Sequence, residues 1–320
     1  MEDILIYSPE DLSLVDGIIS RKLNSCMWNL RFYDAGSFQF NLNRNPFKIG
    51  DIIQQGEKSG IVMKLHQDYN QTVVYGYTLN AVTKFRHIYE TQTFEGTPET
   101  IITQVATQTL TVGDRAIPML SILQNQTTND EQQVLDFDNS NVFETLLKFC
   151  KLTEISYDIN FSGDGLIFKC VQGRNRTDTC MFGRRYRNME SVEYTQDDYN
   201  SKNVVYSSYE DDEGKTIYTT TGNSIGLLRR ETGTKNNIES ESIIANNKLS
   251  QSLKGTANDK LKYKEDWKLG DYVTVAFDDL ITEKQIIEVQ EVYEKSNTTI
   301  IPIFGEEKEN IIRKIMRGGI

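Results

Sequence analysis

The chain has 320 residues, of which 38% are hydrophobic and 25% charged, so it can bury the cores of two or three domains and its composition does not indicate wholesale disorder. Its net charge of −11 and isoelectric point near 4.9 argue against a general nucleic-acid or anionic-membrane surface, without excluding a local basic patch. No run approaches the roughly 20 apolar residues of a membrane-spanning helix, and the acidic N-terminal segment favours a protein made and kept in a cytosol.

The first 89 residues predict a small antiparallel barrel or sandwich. Apolar and polar residues alternate on both sides of a DAG turn at residues 34–36, where Gly36 can take a positive φ. Further alternating runs between residues 47 and 79 bring the expected strands to about six, which is typical of such folds. The side chains that we expect to be buried are Trp28, Phe32, Phe38 and Phe40.

Residues 90–180 predict a separate α+β domain. A Thr-Pro pair at residues 97–98 begins one helical pattern, and an asparagine cap region at 138–141 begins another. A hairpin is expected across the SGDG turn at 162–165. The apolar residues of the two helices are Ile101, Ile102, Val105 and Leu110 in the first, and Val142, Leu146, Phe149 and Cys150 in the second.

Strand patterns return in residues 181–305, which we expect to form a second barrel. Residues 203–221 predict a hairpin around a polar DDEG tip, residues 246–262 a short helix, and residues 267–305 the closing strands. The predicted fold class is therefore mainly β, with two β-barrels separated by an α+β domain.

One short sequence occurs in both predicted barrels. FKIGDII begins at Phe47 and WKLGDYV begins at Trp267. A Gly-Asp pair before an apolar run is a common turn into a strand, so the match could be a coincidence. Because the downstream patterns are also similar, we favour two related barrels in which the segments 47–51 and 267–271 form equivalent turns.

Signatures of catalysis are missing from the sequence. It contains no HExxH, GxSxG or GxxxxGK[ST] motif, and we predict no enzyme, no catalytic residues, no cofactor and no metal ligands. His66 and His87 have no acidic partner at ligand spacing. The four cysteines match neither a zinc knuckle nor a redox pair, and are expected to be buried free thiols. They are Cys26, Cys150, Cys170 and Cys180.

Two segments are candidate interfaces. Arginines between residues 174 and 187 alternate with aromatic residues, which indicates either a polyanion site or, as we favour, salt bridges to a neighbouring subunit or domain. Residues 306–320 predict a short helix with acids first and bases last, which either folds back on its own barrel or docks on a neighbour. The interface candidates are Arg184, Arg185, Arg187, Ile311, Ile312, Ile315 and Met316.

Two stretches carry a resemblance to a known family. WNLRFYDAGSFQFNL resembles the N-terminal hairpin of the central tail hub, or baseplate hub, proteins of siphophages and related phage-tail-like particles. WKLGDYVTV and IIEVQEVYEKSNTTIIPIFG resemble the closing barrel of the same family, up to Gly305. The order of elements is similar along nearly the whole chain, although each motif alone is loose.

The resemblance implies a structural hub with two tail-tube-like barrels per chain. Three chains would form a pseudo-sixfold ring joining a hexameric tail tube to a threefold spike or tip. The implied partners are two further copies of the chain, a tail tube protein, a tape-measure protein, a spike or tail-tip protein and other baseplate proteins. The particle would assemble in the bacterial cytoplasm, without membrane insertion by this chain. The alternative is a carbohydrate-binding or glycan-hydrolysing tail-tip or bacterial protein.

Overall fold

The computed structural model describes residues 2–43, 45–163, 165–198, 201–210, 215–234, 250–278, 280–294 and 297–305. The chain divides into two compact units. Unit 1 comprises Met1–Val192 and Gly255–Ile303, and unit 2 comprises Glu193–Lys254 and Phe304–Ile320. The predicted helix at 306–320, with Ile311, Ile312, Ile315 and Met316, lies outside the described residues.

The described secondary structure is mainly β, as predicted. The two α-helices are α1 (Pro98–Leu110) and α2 (Val142–Thr153). The strands are β1 (Ile4–Tyr7), β2 (Leu14–Ile18), β3 (Leu23–Arg31), β4 (Ser37–Leu42), β5 (Ile52–Gln55), β6 (Lys58–Gln67), β7 (Thr72–Thr78), β8 (His87–Ile88), β9 (Gln92–Gly96), β10 (Leu120–Ile122), β11 (Gln133–Phe137), β12 (Ser140–Asn141), β13 (Ile155–Ser162), β14 (Gly165–Gln172), β15 (Met181–Gly183), β16 (Met189–Asp197), β17 (Val204–Glu210), β18 (Thr216–Thr221), β19 (Glu231–Thr234), β20 (Ser250–Ala257), β21 (Tyr272–Phe277), β22 (Leu280–Glu294) and β23 (Asn297–Gly305).

One large sheet organises unit 1. Its strand order is β16-β20-β23-β22-β3-β4-β7-β6-β5-β1-β2, and β21 and β15 extend it beside β22. The strands of the first 89 residues and those of residues 267–305 therefore share a sheet, because β22 pairs antiparallel with β3. No closed barrel is found among the described strands, so the sheet gives no confirmation of two separate barrels.

The hairpin β3-β4 carries a cluster of buried aromatic side chains. The alternation places Trp28, Phe38 and Phe40 on its buried face, all at most 2% exposed, and Phe32 just beyond β3 is 3% exposed. Trp28 donates from Nε1 to Oε1 of the buried Gln55 at 2.7 Å, so its polar atom is satisfied inside the core. The predicted burial of all four aromatic residues is confirmed.

The predicted helices and hairpin between residues 90 and 180 are present. The side chain of Thr97 accepts from the amide of Thr100 at the start of α1, and Asn141 accepts from the amides of Phe143 and Glu144 at the start of α2. The hairpin pairs β13 with β14. The apolar faces of both helices pack against these strands in one core.

One expected helix is a strand. Residues 250–257 of the segment 246–262 form β20, and residues 246–249 lie outside the described part of the chain. Leu253 is buried, and a Cβ on Gly255 would lie 2.6 Å from Cε of Met189 and 3.1 Å from the carbonyl oxygen of Glu190, both on β16, so the two strands approach closely here. Strand pairing in the sheet therefore overrides the weak helical pattern of this polar segment.

Unit 2 contains a smaller sheet of β18, β17 and β19. The antiparallel β17-β18 pair confirms the hairpin predicted around the DDEG tip, and β19 adds parallel to β17. Among the described helices of the chain, none has both the length and the apolar character needed to span a membrane.

We expect Trp28→Ala to lower the free energy of unfolding by roughly 3–5 kcal/mol, because it leaves a cavity beside Phe38 and removes the indole donor to the buried Oε1 of Gln55. Circular dichroism during denaturant unfolding measures this loss. The matched control is Tyr69→Ala, since Tyr69 is fully exposed, and it should change stability by less than about 0.5 kcal/mol. Equal, small effects of both substitutions would show that Trp28 is not a core residue.

Candidate functional site

We first consider the side chains that could form a catalytic or metal site. Within the described ranges, no group of three or more His, Cys, Asp or Glu side chains is arranged to hold a metal ion. All four cysteines are free and buried. Burial raises the pKa of the Cys26 and Cys180 thiols to about 12, so both stay protonated and poorly nucleophilic near neutral pH. The features that stand out are instead the two Gly-Asp turns and the strands that follow them.

The first turn is closed by Asp51. Its Oδ2 accepts from the amide of Lys48 at 2.7 Å, and its backbone carbonyl accepts from the amide of Val62 at 2.9 Å. Gly50 donates its amide to the carbonyl of Val62 at 2.8 Å and has a φ of +92°, which favours glycine. The aromatic residue that begins the turn, Phe47, is buried.

The second turn repeats this geometry bond for bond. Oδ2 of Asp271 accepts from the amide of Lys268 at 2.9 Å, and its carbonyl accepts from the amide of Ile286 at 2.9 Å. Gly270 donates to the carbonyl of Ile286 at 2.8 Å and has a φ of +94°. Trp267 is fully buried, like Phe47. The prediction that the two segments form equivalent turns is confirmed.

The strands around the turns also correspond. Each turn leads into a strand that pairs antiparallel with the next one, through a hairpin with two residues in its loop. The strand orders β3-β4-β7-β6-β5 and β16-β20-β23-β22-β21 place the two turns at the same position in two five-strand modules. The edges differ, because β1 joins β5 antiparallel whereas β15 joins β21 parallel.

The two modules meet where β22 pairs with β3, from Glu288 opposite Arg31 to Glu294 opposite Ser25. We call this pairing the seam. Nε of Arg31 lies 2.7 Å from Oε2 of Glu288, and both side chains are at most 7% exposed. Separating a buried ion pair leaves an uncompensated charge in the interior, so a shift in the register of the seam that parted these two side chains would be costly.

A second cluster of buried polar and charged side chains links the seam to β6. The ammonium of Lys58 on β6 contacts the carboxylate of Glu291 on β22 and the hydroxyl of Tyr293, and it lies 5.7 Å from the ring centre of Trp28. Lys58 and Glu291 are at most 8% exposed. The group connects the two modules through the interior, because its members come from β6, β22 and β3.

The aromatic ring of Phe32 covers the second turn. The amide of Phe32 donates to the carbonyl of Ile287 at 2.9 Å, which begins the seam. A Cβ on Gly270 would lie 2.3 Å from Cε2 of the Phe32 ring, so glycine is required both by the positive φ and by this contact. The residue that follows β3 therefore packs directly on the glycine of the second turn.

The arginine segment is divided by the structure. Nε of Arg176 lies 2.9 Å from Oδ2 of Asp271, in an ion pair that is not aligned for a hydrogen bond. Arg185 stacks on Tyr186, with its guanidinium carbon 4.7 Å from the ring centre. Arg184 and Arg185 line a shallow depression with residues 276–278, and Arg187 is exposed beside them. The three exposed arginines lie close together in the sequence, whereas Arg176 pairs with the aspartate of the second turn.

Sequence patterns missed the seam and its charged residues. Arg31 and Glu288 are 257 residues apart, and nothing local to either residue identifies its partner. The one sequence signal for the seam is the alternation of apolar and polar residues over 286–293. It indicates a strand buried on one face but does not identify the strand with which it pairs.

A family model described as Siphovirus ReqiPepy6 Gp37-like protein matches residues 4–232 of the chain. No curated protein matches this chain. The fold is similar to the prophage tail protein gp18 of Listeria monocytogenes EGD-e, with a TM-score of 0.58, 14% identity and coverage of 98% of this chain and 97% of that chain. The fold is also similar to a tail protein of Neisseria meningitidis MC58, with a TM-score of 0.59, 13% identity and coverage of 96% of this chain and 97% of that chain.

A chain of the p2 virion baseplate in its activated conformation has a TM-score of 0.51 and 10% identity, over 97% of this chain and 100% of that chain. At these identities the likenesses show the fold alone. Together with the family match, they confirm the resemblance to the phage tail and baseplate family that the sequence carries.

We expect Asp271→Ala to destabilise the protein more than Asp51→Ala. Asp271 accepts from the amides of both Lys268 and Arg174 and pairs with Arg176, whereas Asp51 accepts from the amide of Lys48. Each hydrogen bond to a charged group contributes roughly 1.5–3 kcal/mol. Denaturant midpoints measure the difference.

The exposed Asp259→Ala serves as the control for these two substitutions and should be near neutral. If Asp51→Ala and Asp271→Ala unfold at the midpoint of the control, the carboxylates do not hold the turns.

Proposed function

The chain belongs to the Siphovirus ReqiPepy6 Gp37-like protein family and has the fold of phage tail and baseplate proteins, and from this premise we propose that it is the structural hub of a phage tail or phage-tail-like particle. The observation that carries the proposal is the repeated five-strand module with its identical turns. A chain with two similar modules can present six equivalent units as a trimer, which suits a junction between a hexameric tube and a threefold spike.

In this proposal the division into residues 1–89, 90–180 and 181–305 assigns tube-like modules to the first and third segments and an accessory domain to the second. The partners are a tail tube protein, a tape-measure protein, a spike or tail-tip protein and other baseplate proteins. Assembly takes place in the bacterial cytoplasm. The role is structural, with no enzymatic step.

The proposed function requires a closed trimer. The mass of the purified chain in solution, measured by light scattering across a concentration series, should approach three times the chain mass of 36.7 kDa. Electron microscopy of the assembled particle should place the ring at the end of the tail tube. A chain that stays a monomer at every concentration and cleaves or binds a glycan would overturn the hub and favour the alternative.

We propose two contact regions with other particle proteins. Arg184, Arg185 and Arg187 are exposed, so they can pair with acidic residues of a partner. The C-terminal segment supplies the apolar residues Ile311, Ile312, Ile315 and Met316.

Deleting residues 306–320 should leave the unfolding midpoint of the isolated chain unchanged and abolish trimer formation or spike recruitment, because the apolar stripe acts between chains in this proposal. Denaturation and solution mass are measured on the same samples. A loss of stability in the monomer would instead place the segment on its own chain, and no change in either measurement would remove it from the interface.

A further inference from the structure

The two modules differ at one strand edge. In the second module, residues 280–285 of β22 pair with β21, and residues 288–294 continue along the same edge to pair with β3. In the first module, Lys58–Ile61 of β6 pair with β5. Beyond Val62, the same edge of β6 has no partner strand among the described residues, although β7 lines its other edge. An unpaired edge exposes amides and carbonyls that can accept another strand.

The turn geometry sets the correspondence between these edges. Val62 and Ile286 make the same two hydrogen bonds with their respective turns, so the edge of β6 after Val62 corresponds to the edge of β22 after Ile286. The pairing of β6 with β7 shifts register between Val62 and Lys64, so this correspondence applies to the edges and not residue by residue. Ile287 is the residue whose carbonyl begins the seam. The unpaired edge of β6, Met63–Gln67, is therefore the counterpart of the paired edge of β22.

The counterpart of β3 is also unpaired on one edge. Both β3 and β16 stand at the end of their module's strand order, next to β4 and β20, and both are nine residues long. The outer edge of β3 receives β22, whereas β16 pairs only with β20 among the described strands. Each chain thus has one joint between modules, the pairing of β22 with β3. It also has the two strand edges, on β6 and β16, that a second joint of the same kind would need.

The covering of the turns differs in the same way. Phe32 fills the space above Gly270, but a Cβ on Gly50 would meet only Cγ of Pro9, at 4.0 Å. Ile49 is 59% exposed, whereas its counterpart Leu269 is half-buried. The first turn therefore lacks the cover that the segment after β3 provides to the second.

The charges on the two unpaired edges are complementary. Lys64 and His66 are exposed on β6, and Glu190 is exposed on β16, where the exposed Glu193 pairs with Lys254 of β20 at 2.9 Å. In the seam, the acid Glu288 lies on β22 and pairs with Arg31 on β3. The unpaired edges thus carry the base Lys64 on β6 and the acid Glu190 on β16, the reverse of the arrangement in the seam.

We propose that the unpaired edge of β6 pairs antiparallel with β16 of a second copy of this chain, repeating between chains the joint that β22 and β3 make within one. This inference rests on the proposed ring-forming hub and names its subunit contact. The contact is heterologous, with a different surface on each side. Because the joint within the chain and the joint between chains use corresponding strands, three chains close with six similar joints.

Cysteine cross-linking tests the contact directly, since the four native thiols are buried. One chain carries Lys64→Cys, and a separately tagged chain carries a single cysteine at Glu190, Ser191, Glu193 or Gln196 on β16. After the two chains are mixed under assembly conditions, a flexible bismaleimide should give a heterodimer with at least one β16 position. The control chain carries Val134→Cys, an exposed position on β11, and should give none.

The solution mass of the same mixture separates the two proposals. Trimers that show no β6-to-β16 cross-link at any of the four positions would overturn this inference and leave the hub intact. Monomers without cross-links would overturn both. Cross-links of equal yield with the Val134→Cys control would also overturn the strand pairing, because they would reflect random collisions.

A charge substitution gives a second, independent measurement. Lys64→Glu places like charges on both edges and should raise the dissociation constant of the trimer roughly two- to fivefold per contact. The exposed Lys260→Glu changes net charge equally and should leave the dissociation constant unchanged. Circular dichroism checks that both variants are folded. Equal dissociation constants for the two folded variants would contradict the proposed contact.

Discussion

The seam between β22 and β3 is the constraint on which unit 1 depends. It joins strands that are separated by more than 250 residues, and its buried pair of Arg31 and Glu288 spans 257 positions. Closing so long a connection has an entropic cost, but that cost grows only with the logarithm of loop length. A complete ladder of backbone hydrogen bonds and two buried charged contacts can offset it. The sequence between the strands contains the helices α1 and α2 of unit 1 and the described strands of unit 2.

Local structure could be predicted where neighbouring residues determine it. The alternation around Trp28 and Phe38 identifies a buried hairpin face, and the caps at Thr97 and Asn141 identify helix starts, because each signal acts over a few residues. The strand β20 was missed for the complementary reason. Its side chains are mostly polar, and only its neighbours in the sheet make it a strand.

The repeated turn shows what a short motif can and cannot determine. Phe47–Asp51 and Trp267–Asp271 specify one backbone geometry, since glycine permits the positive φ and the aspartate carboxylate closes the turn. Neither segment contains information about what covers it. Phe32 covers Gly270 because β3 happens to end there, which is a consequence of the seam. Equivalent turns therefore do not predict one continuous sheet or two closed barrels.

Unpaired strand edges are a liability that the charges on this chain address. Two β6 edges brought together would bring Lys64 of both chains into one interface, and two β16 edges would do the same with Glu190. Like charges opposite one another destabilise a strand pair, whereas opposite charges stabilise it. The same residues that disfavour pairing between identical edges therefore favour the β6-to-β16 contact. That contact joins different surfaces, so it forms a ring only where its rotation closes after three chains, as the proposed trimer requires.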